Sequence, residues 1–115
     1  MRREGTDPDH VHMPDVLCDF CAQEWTTDRP MIEGHLGSCI CGSCLAEAYR
    51  SVEIAGVDDR AAQVPRTCTM CREARDEPCR EGAARPEAVI CRRCITMAAK
   101  ALSRDAESGW KLPVA

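Results

Sequence analysis

The 115-residue chain predicts a small α+β fold, stabilised by metal and built from two tandem copies of one module. Three observations carry that expectation. Ten residues are cysteine, a density that usually signals disulfides or metal. Eight of the ten form C-x2-C pairs, Cys18/Cys21, Cys41/Cys44, Cys68/Cys71 and Cys91/Cys94, and each of the first four positions recurs 50 residues later. The aromatic residues are Phe20, Trp25, Tyr49 and Trp110, too few to build a large apolar interior.

Residues 1–15 read as a polar tail. It has no apolar stretch of the kind a secretory leader carries, and no run in the chain approaches the roughly 18 apolar residues that cross a bilayer. The expectation is therefore a cytoplasmic protein without membrane contact. In a reducing compartment, clustered cysteines are metal ligands more often than disulfides.

Residues 16–56 form the first module. Zinc takes four ligands in a tetrahedron. A C-x2-C turn brings two thiolates to one ion from a tight knuckle, and a second knuckle after 19 intervening residues closes a four-sulfur shell. The stretch between, residues 22–40, predicts short strands or loops punctuated by Pro30, Gly34 and Gly37. A helix is expected from about Cys41 to Ile54, stopping near Gly56. Its apolar positions Leu45, Ala48, Tyr49 and Val52 follow the i, i+3, i+4, i+7 pattern of one helical face. Cys44 then lies in the first helical turn, where free N–H groups and the macrodipole favour a thiolate. Knuckle, short hairpin, knuckle and helix together make a treble-clef-like zinc finger.

Residues 57–66 read as a linker, with Pro65 barring a continuous helix. Residues 67–107 repeat the module: Gly82 and Pro86 punctuate residues 72–90, and a helix is expected from about Arg92 to Ala106, stopping by Gly109. Ile95, Ala98, Ala99 and Leu102 reproduce the stripe. Residues 108–115 form a short C-terminal tail. Modules of about 40 residues sit at the size where metal or disulfides are usually needed. Structural zinc supplies roughly 10–16 kcal/mol in small finger peptides.

The cofactor expected is thus zinc, two ions per chain, held by Cys18, Cys21, Cys41 and Cys44 and by Cys68, Cys71, Cys91 and Cys94. Four thiolates leave no open coordination position, so no catalytic residue is expected and the chain does not read as an enzyme. Disulfides or a rubredoxin-type iron site are the other chemistries open to such spacing. Thiol redox exchange belongs with the apolar strands of a βαβ sheet, which this sequence lacks. Cys39 and Cys79 fall outside the repeat and read as small bystander thiols. His10, His12 and His35 read as surface residues. Trp25 and Trp110 read either as binding residues or as packing on a zinc core.

With no catalytic site, the expected role is protein–protein recognition. Leu45, Tyr49, Val52, Ile95, Ala99 and Leu102 would form a module–module or partner face, giving an intramolecular pseudo-dimer, a homodimer or a complex with another protein. Nucleic acid is the alternative partner. Against it stand the net charge of −4 and a first helix with one arginine against two glutamates. Residues 16–57 carry two basic against six acidic residues, whereas residues 68–107 carry eight against seven. Arg72, Arg75, Arg80, Arg85, Arg92 and Arg93 make the second module the place where that alternative would act.

Residues 16–54 resemble the four-cysteine zinc-binding domain at the N-terminus of ClpX, the unfoldase partner of a bacterial protease. That family reads C-x-F-C, a polar segment, an L-I-x-G-P turn, I-C-x-x-C and an amphipathic helix. The matching residues are Cys18, Phe20, Cys21, Met31, Ile32, Gly34, Ile40, Cys41 and Cys44, with His35 in place of the proline. Residues 66–104 keep the four cysteines, Val89, Ile90 and the stripe, without a counterpart of the L-I-x-G turn. No glycine precedes Lys-Ser or Lys-Thr, so no phosphate-binding loop of an ATPase motor is present. The resemblance implies a module that dimerises and captures adaptors and unfolded substrates.

Overall fold

Each module opens on a C-x2-C turn, continues into a short antiparallel hairpin and ends in a helix that carries the last ligand in its first turn. These elements belong to a computed structural model, which describes residues 1–114. In the first module β1 (Met31–Glu33) pairs with β2 (Cys39–Cys41), and α1 (Gly42–Tyr49) follows, continued by one π-helical turn over Arg50–Ile54. In the second, β3 (Arg66–Thr67) and β4 (Ala74–Arg75) flank the first knuckle. There β5 (Cys79–Glu81) pairs with β6 (Val89–Cys91), and α2 (Arg92–Arg104) follows. The β3–β4 pairing has its counterpart in a single bridge between Leu17 and Glu24.

The strand registers correct the reading of the second module. Met31, Ile32 and Glu33 face Cys41, Ile40 and Cys39, while Cys79, Arg80 and Glu81 face Cys91, Ile90 and Val89. The second strands and the ligands thus keep the 50-residue offset, but β5 stands 48 residues after β1. Glu81-Gly82 therefore occupies the place of Glu33-Gly34, and the second module does have the turn glycine. Two residues are lost before β5 and two are gained after Gly82, so the cysteine spacing is unchanged.

These glycines serve contact between modules. The His35 N–H donates to the Met70 carbonyl at 2.8 Å, and a Cβ on Gly34 would lie 2.6 Å from that same oxygen. A Cβ on Gly82 would lie 2.6 Å from the Arg85 carbonyl and 2.9 Å from that of Phe20. Phe20 and Met70 are repeat partners, each inside the first knuckle of its module. Each hairpin turn therefore rests on the opposite module's knuckle.

The helices complete the union. α1 packs against α2, and one buried cluster joins Phe20, Ile40, Leu45 and Val52 to Met70, Ile90, Ile95 and Leu102. Leu45, Val52, Ile95, Ala99 and Leu102 are all buried and Tyr49 is half-buried. Leu45, Val52, Ile95 and Leu102 thus lie in the core shared by the two modules, with Tyr49 packed against it.

Two segments strap the halves further. After α2 the chain turns back and the Trp110 indole Nε1–H donates to the Gly42 carbonyl at 2.9 Å, over the start of α1. After α1, residues 57–66 are tied down against β5. The Asp59 N–H donates to the Cys79 carbonyl at 3.0 Å, and the Asp58 and Asp59 carboxylates accept from the Cys79 and Glu81 N–H groups at 3.3 and 2.9 Å. The buried Arg60 guanidinium bridges Asp58, Asp76 at 2.6 Å and the Gln63 side chain. Its hydrogen bonds draw the Asp58 carboxyl down to about 2. The polar N-terminal segment is likewise engaged, with Arg2 bridging Val16 and the Leu17 N–H donating to the Met1 carbonyl at 2.7 Å.

Substituting alanine for Gly34 or Gly82 forces a methyl group into backbone atoms and is expected to destabilise the protein by about 1–3 kcal/mol. Gly37 has open space around its Cβ position, and there alanine meets only the cost of a positive φ, about 1 kcal/mol. Thermal unfolding of the metal-loaded variants measures the difference. Trp110→Ala is expected to cost about 2 kcal/mol, below the range for a fully buried tryptophan, and to leave metal content unchanged.

Candidate metal centre

The sulfur atoms of Cys18, Cys21, Cys41 and Cys44 all lie within 4.8 Å of one another, and so do those of Cys68, Cys71, Cys91 and Cys94. Local structure explains both clusters. The first two ligands of each set sit on a turn that closes with Ala22 N–H to Cys18 carbonyl, or Arg72 N–H to Cys68 carbonyl, each at 2.8 Å. Ala22 and Arg72 share a positive φ of 62°, so the two knuckles have the same bend despite different residues. The third ligand ends the second hairpin strand and N-caps the helix, and the fourth lies three residues into it.

Backbone donors converge on the sulfurs. The Phe20 and Cys41 N–H groups point at Cys18 Sγ at 3.4 and 3.3 Å, and the Cys44 N–H at Cys41 Sγ at 3.5 Å. In the second set the Met70 and Cys91 N–H groups reach Cys68 Sγ at 3.3 and 3.4 Å. Donors of this kind stabilise thiolates and orient metal ligands. Hydrogen bonds from the Cys41 and Cys44 thiols pull Cys18 down to about 2, and donating those hydrogen bonds to Cys18 pushes Cys41 up to about 12 and Cys44 higher. The same division holds around Cys68, with Cys91 and Cys94 raised. Cys18 and Cys68 thus carry charge readily, while Cys41, Cys44, Cys91 and Cys94 are held toward the neutral thiol, and a cation among them would reverse that.

The donor set fits such a cation. A tetrahedral zinc site with Zn–S near 2.3 Å has sulfurs about 3.8 Å apart, and Cys21 and Cys41 Sγ are 3.8 Å apart. That separation is far longer than a disulfide bond, and all ten cysteines are free. Either cluster could hold a metal ion, and thiolate donors suit zinc.

The two centres differ in their surroundings. Arg75 stands against Cys71, a contact that is the first cause of its raised pKa, and its guanidinium also pairs with Glu73. The position 50 residues earlier is Trp25, so the Arg75–Cys71 contact has no counterpart at the equivalent place in the first centre. Cys39 and Cys79 stay outside both clusters. Each is buried, and burial raises the Cys79 thiol to about 11. By register Cys39 takes the place of Val89 and Cys79 that of Met31. The Cys39 thiol also donates to the Gly37 carbonyl at 3.6 Å and accepts from the N-terminal amine at 3.7 Å. His10, His12 and His35 are exposed, with His10 held by Asp7.

The sequence reading missed Asp58, Asp59, Arg60 and the second turn glycine. The repeated Glu-Gly pair at 33–34 and 81–82 was the available signal, hidden by its shift from 50 to 48. The acidic strap carries no such signal because its partners are backbone groups more than 20 residues away.

Removing one thiol from each set should separate the centres. Cys18→Ser and Cys68→Ser are each expected to lower the metal content from two ions per chain to one, read by cobalt substitution and its thiolate charge-transfer band. In excess chelator the wild-type chain is expected to lose its cooperative unfolding transition, followed by circular dichroism. A transition that survives chelation would show that the apolar core suffices without metal.

No family model, no curated protein and no solved structure matches the chain. Its chemistry therefore rests on the residues and geometry described above.

Proposed function

We propose that this chain is a non-catalytic, cytoplasmic protein-interaction module in which two structural zinc ions each hold one treble-clef-like finger. The observation that carries the reading is the pair of four-thiol shells flanking a shared core. Each shell supplies all four ligands of a structural zinc site and leaves no position for substrate or water. The fingers form an intramolecular pseudo-dimer, with the stripes of α1 and α2 buried between them. The residues shared with the ClpX-type zinc domain, Phe20, Ile32, Gly34 and Ile40 among them, support a role in recruiting proteins to a larger machine.

Charge pairing speaks against the nucleic-acid reading. Arg75, Arg80, Arg85 and Arg92, four of the six arginines that could have formed a phosphate-binding face, pair with Glu73, Glu47, Glu87 and Glu53. Among the described residues no helix is long and apolar enough to cross a membrane.

Elemental analysis of the purified protein is expected to give two zinc ions per chain, and light scattering a mass that is monomeric across concentrations. An obligate dimer formed through the α1 and α2 stripes would contradict the pseudo-dimer, and mapped disulfides without metal would overturn the zinc assignment. Affinity capture followed by mass spectrometry, with the chelated protein as control, is expected to recover a partner only from the metal-loaded form.

A further inference from the structure

We infer that β1 is a docking edge, which takes up an extended segment of a partner protein as an added strand. Consecutive apolar residues with basic flanks are the chemistry that the site favours. The inference rests on reading the fingers as an interaction module and names where, and how, that interaction occurs.

Hydrogen-bonded and non-hydrogen-bonded pairs alternate along an antiparallel ladder. Beside β1 the Gly34 N–H donates to the Ser38 carbonyl at 2.8 Å, and the Gly42 N–H to the Pro30 carbonyl at 2.9 Å. The bonded pairs are therefore 34 with 38, 32 with 40, and 30 with 42. Met31 and Glu33 consequently direct their N–H and C=O groups away from β2. Among the described residues nothing meets these outward groups.

The second module shows what an edge of this geometry takes. Gly82 N–H to Ala88 carbonyl and Arg92 N–H to Pro78 carbonyl place its ladder in the same phase. Cys79 and Glu81 then point outward as Met31 and Glu33 do. There the extended strap engages the edge: the Asp59 N–H meets the Cys79 carbonyl, and the two aspartates cap the Cys79 and Glu81 N–H groups. One copy of the duplicated edge is thus occupied by the chain itself, and the other is open.

The surroundings of β1 supply room on both faces of an added strand. On one side lies a cleft of about 350 Å³ lined by Val11, Val16, Trp25 and Met31. On the other lies a cleft of about 440 Å³ lined by Ile32, Met70, Met97, Ala98 and Ala101. The equivalent of the second cleft in the other half holds about 10 Å³. There Arg80 takes the place of Ile32 and reaches Glu47, which takes the place of Met97, at 4.0 Å. Added strands gain affinity from main-chain bonds and specificity from pockets that receive alternate side chains. Apolar clefts on both faces select consecutive apolar residues. Arg2 and Arg93 stand in the two clefts and Arg2 reaches Glu33 at 3.8 Å, so a preference for lysine or arginine at the flanks rests on the net excess of acids in residues 16–57.

The test uses the zinc-loaded full chain and the capped peptide Lys-Ile-Val-Ile-Lys as probe. Amide exchange by NMR at millimolar peptide is expected to slow at Met31 and Glu33 and to stay unchanged at Cys79 and Glu81. Trp25 fluorescence is expected to shift in the same titration. Glu33→Pro removes an outward N–H without touching a hairpin bond, and proline is tolerated on an edge strand in that orientation. Compared with Glu33→Gln, which removes the same carboxylate but keeps the N–H, it is expected to weaken the peptide about fivefold to tenfold, the loss of one main-chain bond, with two zinc ions retained. Should that variant lose zinc, exchange in the wild-type protein still decides. Binding without protection of Met31 and Glu33, or no binding, overturns the inference. Protection of those amides by self-association, without peptide, assigns the edge to a second copy and overturns the partner. Zinc content and partner capture read the interaction module itself, so its failure is distinguishable from failure of the β1 edge.

Discussion

Four cysteine sulfurs brought within 4.8 Å of one another form each cluster, and the rest of the structure follows from bringing them together. A bound cation would favour that arrangement by offsetting the repulsion of like charges. A knuckle, a strand end and a helix start must meet at each centre, which fixes where every hairpin and helix begins. A metal ion in each cluster would let the strands be only two or three residues long and the apolar core do with few aromatics. Such short elements are not stable on their own in water. Here β2, β6 and both helices each carry a cluster cysteine at one end, and the opposite module covers the apolar faces of the helices.

The contact between modules is reciprocal, and its parts are small. Gly34 rests on the Met70 knuckle and Gly82 on the Phe20 knuckle. Trp110, directly after the second module, closes over the first, and the Asp58–Arg60 strap, directly after the first, closes over the second. Two centres joined in this way share one interior. The duplication has not remained symmetric. Arg75 beside Cys71 gives the second centre a positive neighbour where the first has Trp25. Arg80 with Glu47 seals a seam whose counterpart stands open.

Much of the candidate site was legible in the sequence, because ligand spacing is a local constraint. Cys18 to Cys44 and Cys68 to Cys94 fall into two clusters of four, and each shell is followed by one helix whose stripe is buried. The finer arrangement was not legible. The 48-residue offset of β5 breaks a repeat that every ligand obeys, and only the strand register reveals it. Asp58 and Arg60 are polar residues in a segment that composition marks as a linker. Their role depends on Asp76 and Cys79, brought near by the tertiary fold. Leu45 and Ile95 were legible as apolar positions, whereas their use between modules depends on how the two helices meet.

The placement of Trp110 has a consequence for the order in which the protein is made. Its indole covers the start of α1, a helix that begins at Gly42. A growing chain emerges from its N-terminus at about 5–20 residues per second, so the first centre can assemble its four thiols several seconds before its cover exists. During that interval the α1 stripe also lacks α2. The nascent first module is therefore a temporarily uncapped species, open to solvent and to chaperones until residue 110 has cleared the ribosome.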